Sequence, residues 1–274
     1  MTLPVQRFRV VGDGLYHADM PTCLSLEDHL HALVVSGAAL REAAAAAGLG
    51  AMVPTCPSWD VTKLVAHQGM VHRWAAANLR GDTGHDTSAS QAEARGATDL
   101  LGWYSQGLTA LVDTLTATAD DAQAMVFLND APPPRRFWAR RQAHETTIHS
   151  VDAISAVHGR WPAASDVDVD PTLAADGIDE LLTGFVTRGR GRLPSAEPYT
   201  VFVRIDDTGH DWTLRISDGP IVTTRGATAR PEAVLSGTAV QLYLSLWNRA
   251  DEITTQGRSD VVSQWRSQIR IRWS

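Results

Sequence analysis

The chain has 274 residues, of which 44% are hydrophobic and 20% are charged, and its formal net charge is −7. This length exceeds the usual single-domain size of about 100 to 200 residues, and the composition is that of an ordinary globular protein without a sign of disorder. The acidic balance argues against a general nucleic-acid binder, because phosphate neutralisation needs a basic surface, and it favours small molecules as partners.

The amino-terminal stretch lacks the unbroken apolar segment of a signal peptide. No run approaches the roughly 18 apolar residues of a membrane span. We therefore predict a cytoplasmic protein without a membrane partner, either a monomer or a homodimer. Cys23 and Cys56 are the two cysteines and show no CxxC spacing, so we interpret them as reduced, packed thiols; a catalytic cysteine is an alternative that no signature supports.

Helical periodicity marks the first half of the chain. Ser25 and Asp28 form a capping pattern at the start of the first helix, Gly48 ends it, and a proline run precedes the fourth helix. A polar loop separates the second helix from the third. Four helices of about 20 residues predict a helical bundle. The predicted helices cover residues 24–47, 60–80, 98–118 and 135–157.

The pattern changes beyond residues 161–171, which we interpret as a linker. One more helix is predicted at residues 172–188. Alternating apolar residues at 199–205 and 212–217 then flank the turn 206–209, which is typical of a β-hairpin. Further predicted elements are strands at 221–225, 233–236 and 252–256, a helix at 238–249 and a terminal helix. The expected fold class is α+β, with a bundle domain at residues 1–163 and a small α/β domain at residues 170–274.

The fourth helix carries a candidate metal-binding pair. Glu145 and His149 are four residues apart and differ by only about 40° around the helix, so both can reach one ion. His144 and His149 are five residues apart and diverge by about 140°, which excludes the HExxH arrangement of zinc proteases. Glu145 is therefore a candidate ligand rather than a base. The alternative is the solvated edge of an amphipathic helix.

The second helix offers a third ligand. His67 lies in the apolar stripe formed with Leu64, Val71 and Trp74, so it points into the bundle. Bundles build metal sites from inward His and Glu residues, and a His₂Glu set leaves zinc an open fourth position for catalysis. A hydrogen-bonded core histidine is the alternative, and spacing alone leaves both open. We interpret the remaining histidines, among them His29 and His72, as surface or packing residues.

The arc of the fourth helix that carries the candidate ligands also carries Trp138, Arg141 and Asp152. The macrodipole disfavours cations in the first turns of a helix, so the arginines there favour an anionic ligand; the alternative is a solvated basic face. We expect Arg141 to bind a substrate or cofactor carboxylate and Trp138 to contact the cofactor. Asp152 is expected to orient a ligand or accept a proton. The arginines in question are Arg135, Arg136, Arg140 and Arg141.

Several segments resemble one known family. Residues 56–61 (CPSWDV) with 64–67 (LVAH), and residues 144–153 (HETTIHSVDA), resemble the two signatures of the mycothiol-dependent maleylpyruvate isomerase family. The likeness continues into residues 175–182 (ADGIDELL) and 242–249 (LYLSLWNR), and so spans nearly the whole chain beyond the first twenty residues. The resemblance implies a DinB-like four-helix bundle with a catalytic zinc, followed by a small α/β domain that closes over the site.

The resemblance also implies site residues. The metal ligands of the family fall on His67, Glu145 and His149, and the arginine that its C-terminal domain contributes to the active site falls on Arg249. Mycothiol is the implied cosubstrate, and the implied chemistry is activation of its thiol by the metal.

This chain departs from the family pattern at Ser58, Gln68 and Ser150, which stand where glycine, an apolar residue and arginine are usual. We therefore favour transfer of a low-molecular-weight thiol to an electrophilic small molecule, or thiol exchange on it, of the kind found in secondary metabolism. Maleylpyruvate cis–trans isomerisation is the alternative. A metal-assisted hydrolase and a non-catalytic binding protein are rivals from other classes.

Overall fold

The computed structural model describes residues 24–271 with the exception of residues 83, 190–192, 194 and 196. Cys23 lies outside the described residues. Within them, four long helices form the bundle, as expected, and a short helix joins two of them. The helices are α1 (Leu26–Ala47), α2 (Val61–Leu79), α3 (Thr87–Gly96), α4 (Leu100–Ala117) and α5 (Pro134–His158).

The capping box predicted for α1 is confirmed. The Ser25 hydroxyl accepts a hydrogen bond from the Asp28 backbone N–H at 3.1 Å, and the Asp28 carboxylate accepts one from the Ser25 backbone N–H at 2.8 Å. Helix α3 lies where the sequence predicts a polar loop. Asp86 caps it, and it buries only Ser90 and Ala94, so a sequence poor in apolar residues gave no periodic signal.

Helix α1 is, by length and composition, apolar enough to cross a membrane, with a mean hydropathy of 1.2 over 18 residues. The helix is nevertheless not an unbroken apolar run, since it contains Glu27, Asp28, Arg41 and Glu42, and a core helix of a soluble protein meets the same criterion. In the structure 39% of that window is buried. Leu33 and Leu40 are fully buried and belong to bundle cores, so packing accounts for the apolar face.

The C-terminal half combines helices with a mixed sheet. Helix α6 (Pro171–Asp179) continues into one π-helical turn (Glu180–Phe185). The strands are β1 (Tyr199–Ile205), β2 (Asp211–Ile216), β3 (Val222–Arg225), β4 (Ala233–Gly237) and β5 (Thr254–Gly257), and the later helices are α7 (Ala239–Leu246) and α8 (Val261–Gln268). In the described residues the sheet has these five strands in the order β3-β2-β1-β4-β5, with only the β1–β4 pair parallel.

Helix α5 is the centre of the molecule. Its residues Phe137 and Ala143 belong to the core of the bundle, whereas Ile148 and Val151 belong to the core of the C-terminal half. Both halves therefore pack on the same helix. A helix covered in this way has no solvated edge along its middle turns, which removes that alternative for Glu145 and His149.

Two arginines of α5 join the halves through buried ion pairs. Arg140 donates to Asp176 at 2.9 Å and to Asp179 at 3.1 Å, and Arg141 donates to Glu180. The inference that these arginines attract an anionic ligand is therefore wrong, because carboxylates of the protein itself neutralise them. Neither arginine lies on a solvated face, since both are buried.

Candidate metal centre

His67, Glu145 and His149 converge between α2 and α5. One ligand atom of each residue lies within 4.8 Å of the other two. His149 Nε2 is 3.2 Å and His67 Nε2 is 3.8 Å from the same oxygen, Glu145 Oε1. His67 Nε2 is buried and has no hydrogen-bond partner. Since an unsatisfied buried polar atom costs about 1–3 kcal/mol, this atom is oriented for a ligand rather than for packing.

A second layer of side chains holds His149. Its Nδ1 is 2.8 Å from Asp152 Oδ2, which directs Nε2 towards Glu145. Asp152 in turn accepts two hydrogen bonds from Arg249, at 2.6 and 3.0 Å, and one from Thr55 at 2.5 Å. Because a hydrogen bond from the distal nitrogen fixes the ring and the tautomer of a ligating histidine, this arrangement suits a metal site. Arg249 brings the C-terminal half to the site, as the resemblance implies.

The second oxygen of Glu145 is held by Arg141. The Arg141 guanidinium donates to Glu145 Oε2 at 2.7 Å and also to Glu180, so Oε1 is left to the two histidines. Burial opposes ionisation of Glu145, but Arg141, His149 and His67 outweigh it and hold the pKa of the carboxyl well below its ordinary value. Glu145 is therefore an anion, the form that binds a cation.

The two histidines differ in charge. Burial opposes protonation of His149, but hydrogen bonds to Asp152 and Glu145 raise its pKa to about 9. Burial lowers the pKa of His67, so its ring is neutral. The protonated ring of His149 thus lies between the carboxylates of Asp152 and Glu145, and a metal ion bound at Nε2 would replace the proton on that atom. Two imidazoles and one carboxylate form one of the ligand sets of catalytic zinc, and we conclude that these residues fit such an ion.

The loop before α2 forms the wall of the site. The ring centroid of Trp59 lies 4.9 Å from that of His67 and 5.9 Å from that of His149, and the latter pair is stacked. Cys56 Sγ lies 3.6 Å from Asp152 Oδ2 and 3.6 Å from Arg249 Nη2. Both wall residues are partly exposed, so the opening of the site lies on this side.

Cys56 is expected to remain a thiol at neutral pH. Burial and the neighbouring carboxylate of Asp152 raise its pKa to about 12. In a Cys23→Ser variant without metal, the rate of alkylation by iodoacetamide should rise about tenfold per pH unit up to pH 10 without reaching a plateau, because only the thiolate reacts. A plateau near pH 8 to 9 would contradict this environment for Cys56.

A second cluster of metal-ligand types lies deeper in the bundle, where His29 and His144 both contact Asp176 Oδ2, at 3.0 and 2.7 Å. The sequence does not predict it, because Asp176 lies 147 residues from His29 and 32 residues from His144 along the chain. Arg140 Nε lies 2.9 Å from the same oxygen, so a guanidinium occupies the position that a metal would need. In the first cluster the arginine holds the other oxygen. We therefore interpret the deep cluster as a structural network.

The orienting role of Asp152 can be tested. An Asp152→Asn substitution keeps the shape but removes the charge beside His149, so we expect zinc affinity to fall about 10- to 100-fold, the usual effect of losing such a partner. Competition with a chromophoric chelator measures this change. Asp166→Asn is the matched control, because Asp166 pairs with the exposed Arg160 and not with a residue of the site. The distance between Arg160 Nη1 and Asp166 Oδ2 is 2.8 Å. An unchanged affinity in a folded Asp152→Asn protein would refute the orienting role.

The structure brings five of the predicted site residues together and places the other two away from the opening of the site. His67, Glu145, His149, Asp152 and Arg249 form one connected group, as described above. Arg141 has no exposed side-chain surface and lies behind Glu145, so it cannot reach a substrate carboxylate at the opening. Trp138 is buried in the bundle core and donates to the Met125 carbonyl at 2.9 Å, so it contacts no cofactor at this site.

Two protein-family models match this chain, one in its N-terminal part and one in its C-terminal part. The mycothiol maleylpyruvate isomerase N-terminal domain matches residues 30–154, and the MDMPI C-terminal domain matches residues 172–264. Among solved structures, a mycothiol-dependent maleylpyruvate isomerase has 15% sequence identity and a TM-score of 0.58, over 85% of this chain and 93% of that chain. A histidine-to-alanine mutant of such an isomerase has 16% identity and a TM-score of 0.56 over the same shares. No curated protein matches the sequence. The structural likeness shows a shared fold.

Proposed function

Because the chain belongs to the mycothiol maleylpyruvate isomerase family, we propose that it is a metal-dependent enzyme that activates a low-molecular-weight thiol, mycothiol, for reaction with an electrophilic small molecule. The observation that carries this proposal is the convergence of His67 Nε2, Glu145 Oε1 and a His149 nitrogen within 4.8 Å, with the first of these atoms buried and unpartnered. We further propose that the metal is zinc and that the enzyme acts in the cytoplasm.

The chemistry of the metal supports a thiol as the activated group. Zinc bound by three protein ligands lowers the pKa of a sulfhydryl in its open position, so a thiolate is available at neutral pH. The side chains supply the surroundings. Arg141 keeps Glu145 ionised, Asp152 keeps His149 oriented, and Trp59 limits access of water beside both histidines.

Cys56 does not compete for this role. A protein thiolate beside the metal would occupy the position that we assign to the cosubstrate. The raised pKa of Cys56, with its hydrogen bond to Asp152 at 3.6 Å, keeps it protonated. Arg249 contacts Cys56 and Asp152 at the opening of the site. We therefore propose that its guanidinium lies next to the thiol and the electrophile when they react.

Three reactions can follow from one thiolate. Addition alone transfers the thiol to the substrate, displacement of a resident thiol exchanges one for the other, and addition followed by elimination isomerises a double bond. We propose transfer or exchange, with isomerisation as the alternative. Ser58 is an exposed residue of the loop that carries Cys56 and Trp59, and so supports a modified opening. Gln68 and Ser150 are buried and bond within the bundle, so these two departures do not bear on the choice.

The stoichiometry of the thiol separates these reactions. The zinc-loaded protein is incubated with mycothiol and a candidate electrophile, and mycothiol and products are quantified by mass spectrometry. Transfer consumes one thiol per product, exchange releases a second thiol, and isomerisation leaves the thiol concentration unchanged. Turnover without any thiol would show a metal-assisted hydrolase instead. Binding of the electrophile that survives removal of the metal, with no turnover, would show a binding protein.

A further inference from the structure

Lys63 is the single lysine of the chain. It lies in the first turn of α2, four residues before His67, so the two side chains share a face of the helix. A cation in a first turn is opposed by the helix dipole. Every other basic residue outside the histidines is arginine, and the one lysine stands beside the proposed metal centre.

The ammonium of Lys63 lies against the wall of the site. Its Nζ is 5.2 Å from the ring centroid of Trp59. The same ring lies 4.9 Å from the ring of His67 and 5.9 Å from the ring of His149. Lys63 is exposed, so its flexible stem can move its charge across the rim of the opening.

The other cations of the site are already paired. Arg249 forms two hydrogen bonds with Asp152, and Arg141 lies buried between Glu145 and Glu180. In the described part of the chain, no carboxylate lies within 4.0 Å of the Lys63 ammonium. Its charge rests on an indole face, a contact that an incoming anion can replace. Of the cations that the described residues place around the opening, Lys63 is thus the one left for a ligand.

We propose that Lys63 determines substrate specificity by binding an anionic group, a carboxylate or a phosphate, of the electrophile at the rim beside Trp59. The inference rests on the proposed function, in which the histidine and glutamate ligands are reserved for the metal and its thiol. Lys63 takes the place of Arg141, which is buried, as the residue that recognises the charge of the substrate.

The single lysine makes a direct test possible. Reductive methylation with ¹³C-formaldehyde labels only Lys63 and the α-amine of the chain and keeps the positive charge. Lys63→Arg assigns the signal by removing it. A Lys63→Arg/Arg41→Lys protein, whose lysine lies on the exposed face of α1, is the matched control for weak binding of anions to any surface lysine. The zinc-loaded proteins are titrated with maleate and with maleamide, its neutral isostere.

We expect maleate to shift the Lys63 signal saturably, and at several-fold lower concentration than it shifts the signal of the control protein. Maleamide should leave the signal in place. In calorimetry, Lys63→Met should weaken maleate binding about fivefold, the effect of one exposed ion pair, and Lys63→Arg should restore most of it. A titration with inorganic phosphate, carried out in the same way, shows whether Lys63 binds a phosphate as it binds a carboxylate.

Equal shifts from maleate and maleamide, equal responses of the two lysines, or unchanged affinity in Lys63→Met would each overturn the inference. These results would leave the proposed function intact if the wild-type protein binds zinc and mycothiol. Absence of zinc from the wild-type protein would overturn the proposed function instead, whatever the Lys63 signal does.

Discussion

Replacing Glu145 with glutamine is expected to remove the metal and to lower thiol-dependent turnover by roughly 10³-fold or more, because a neutral amide cannot supply the one anionic ligand of the set. Glu145 Oε1 is the oxygen that both histidines approach, at 3.2 and 3.8 Å. Elemental analysis of the purified variant and a thiol-consumption assay measure the two effects.

Glu180→Gln is the matched control for this substitution. Glu145 and Glu180 both pair with the buried guanidinium of Arg141, so each variant leaves that cation with one carboxylate. Because Arg141 keeps one carboxylate in each variant, we expect both variants to lose similar stability, on the order of 1–3 kcal/mol. Only Glu145→Gln should lose the metal. Equal metal loss in both would mean that Glu145 acts through stability, and full metal content in Glu145→Gln would mean that it is not a ligand.

Replacing Arg140 with methionine is expected to destabilise the fold by about 3–5 kcal/mol, because Asp176 is then left buried without its guanidinium partner, whereas Asp179 keeps Arg225 at 2.8 Å. Arg140 reaches Asp176 at 2.9 Å and Asp179 at 3.1 Å, and all three side chains are at most 4% exposed. Urea unfolding followed by tryptophan fluorescence measures the loss. Arg135→Met is the control on the same helix: its partner Asp120 is 83% exposed, so we expect about 1 kcal/mol or less.

The same network predicts a pH dependence. Burial opposes ionisation of Asp176, but Arg140, His144 and His29 outweigh it and hold its pKa well below its ordinary value. A carboxyl whose pKa is lower in the folded state adds stability above its unfolded pKa of about 4, and that stability is lost as the pH falls towards the folded pKa. Asp176→Asn should flatten the fall in stability below about pH 4. An unchanged acid limb would contradict the network.

The proposed metal ligands are the part of the candidate site that sequence can predict best. The spacing of Glu145 and His149 fixes their common face, and the apolar stripe of α2 turns His67 inward. The angular position of a residue around a helix, however, gives no information about its position along the helix axis. Trp138 shares the face of Glu145 but precedes it by seven residues, about 10 Å along the axis, and is buried in the bundle core.

Partners that are distant in sequence could not be predicted. The cations at the start of α5 looked like a binding surface, because their counter-charges Asp176, Asp179 and Glu180 lie in the other half of the chain. Spacing carries no information about such pairs. Trp59 was likewise missed, since loop residues have no periodicity, although it stands within the CPSWDV motif beside Cys56.

Elemental analysis of the wild-type protein and of His67→Ala, purified in parallel, directly tests whether His67, Glu145 and His149 bind a metal ion. His67 Nε2 is buried without a hydrogen-bond partner, so the substitution removes one ligand atom without breaking a hydrogen bond at that nitrogen. We expect close to one zinc per chain in the wild-type protein and less than about a tenth of that in the folded variant. Full metal content in His67→Ala would contradict the site.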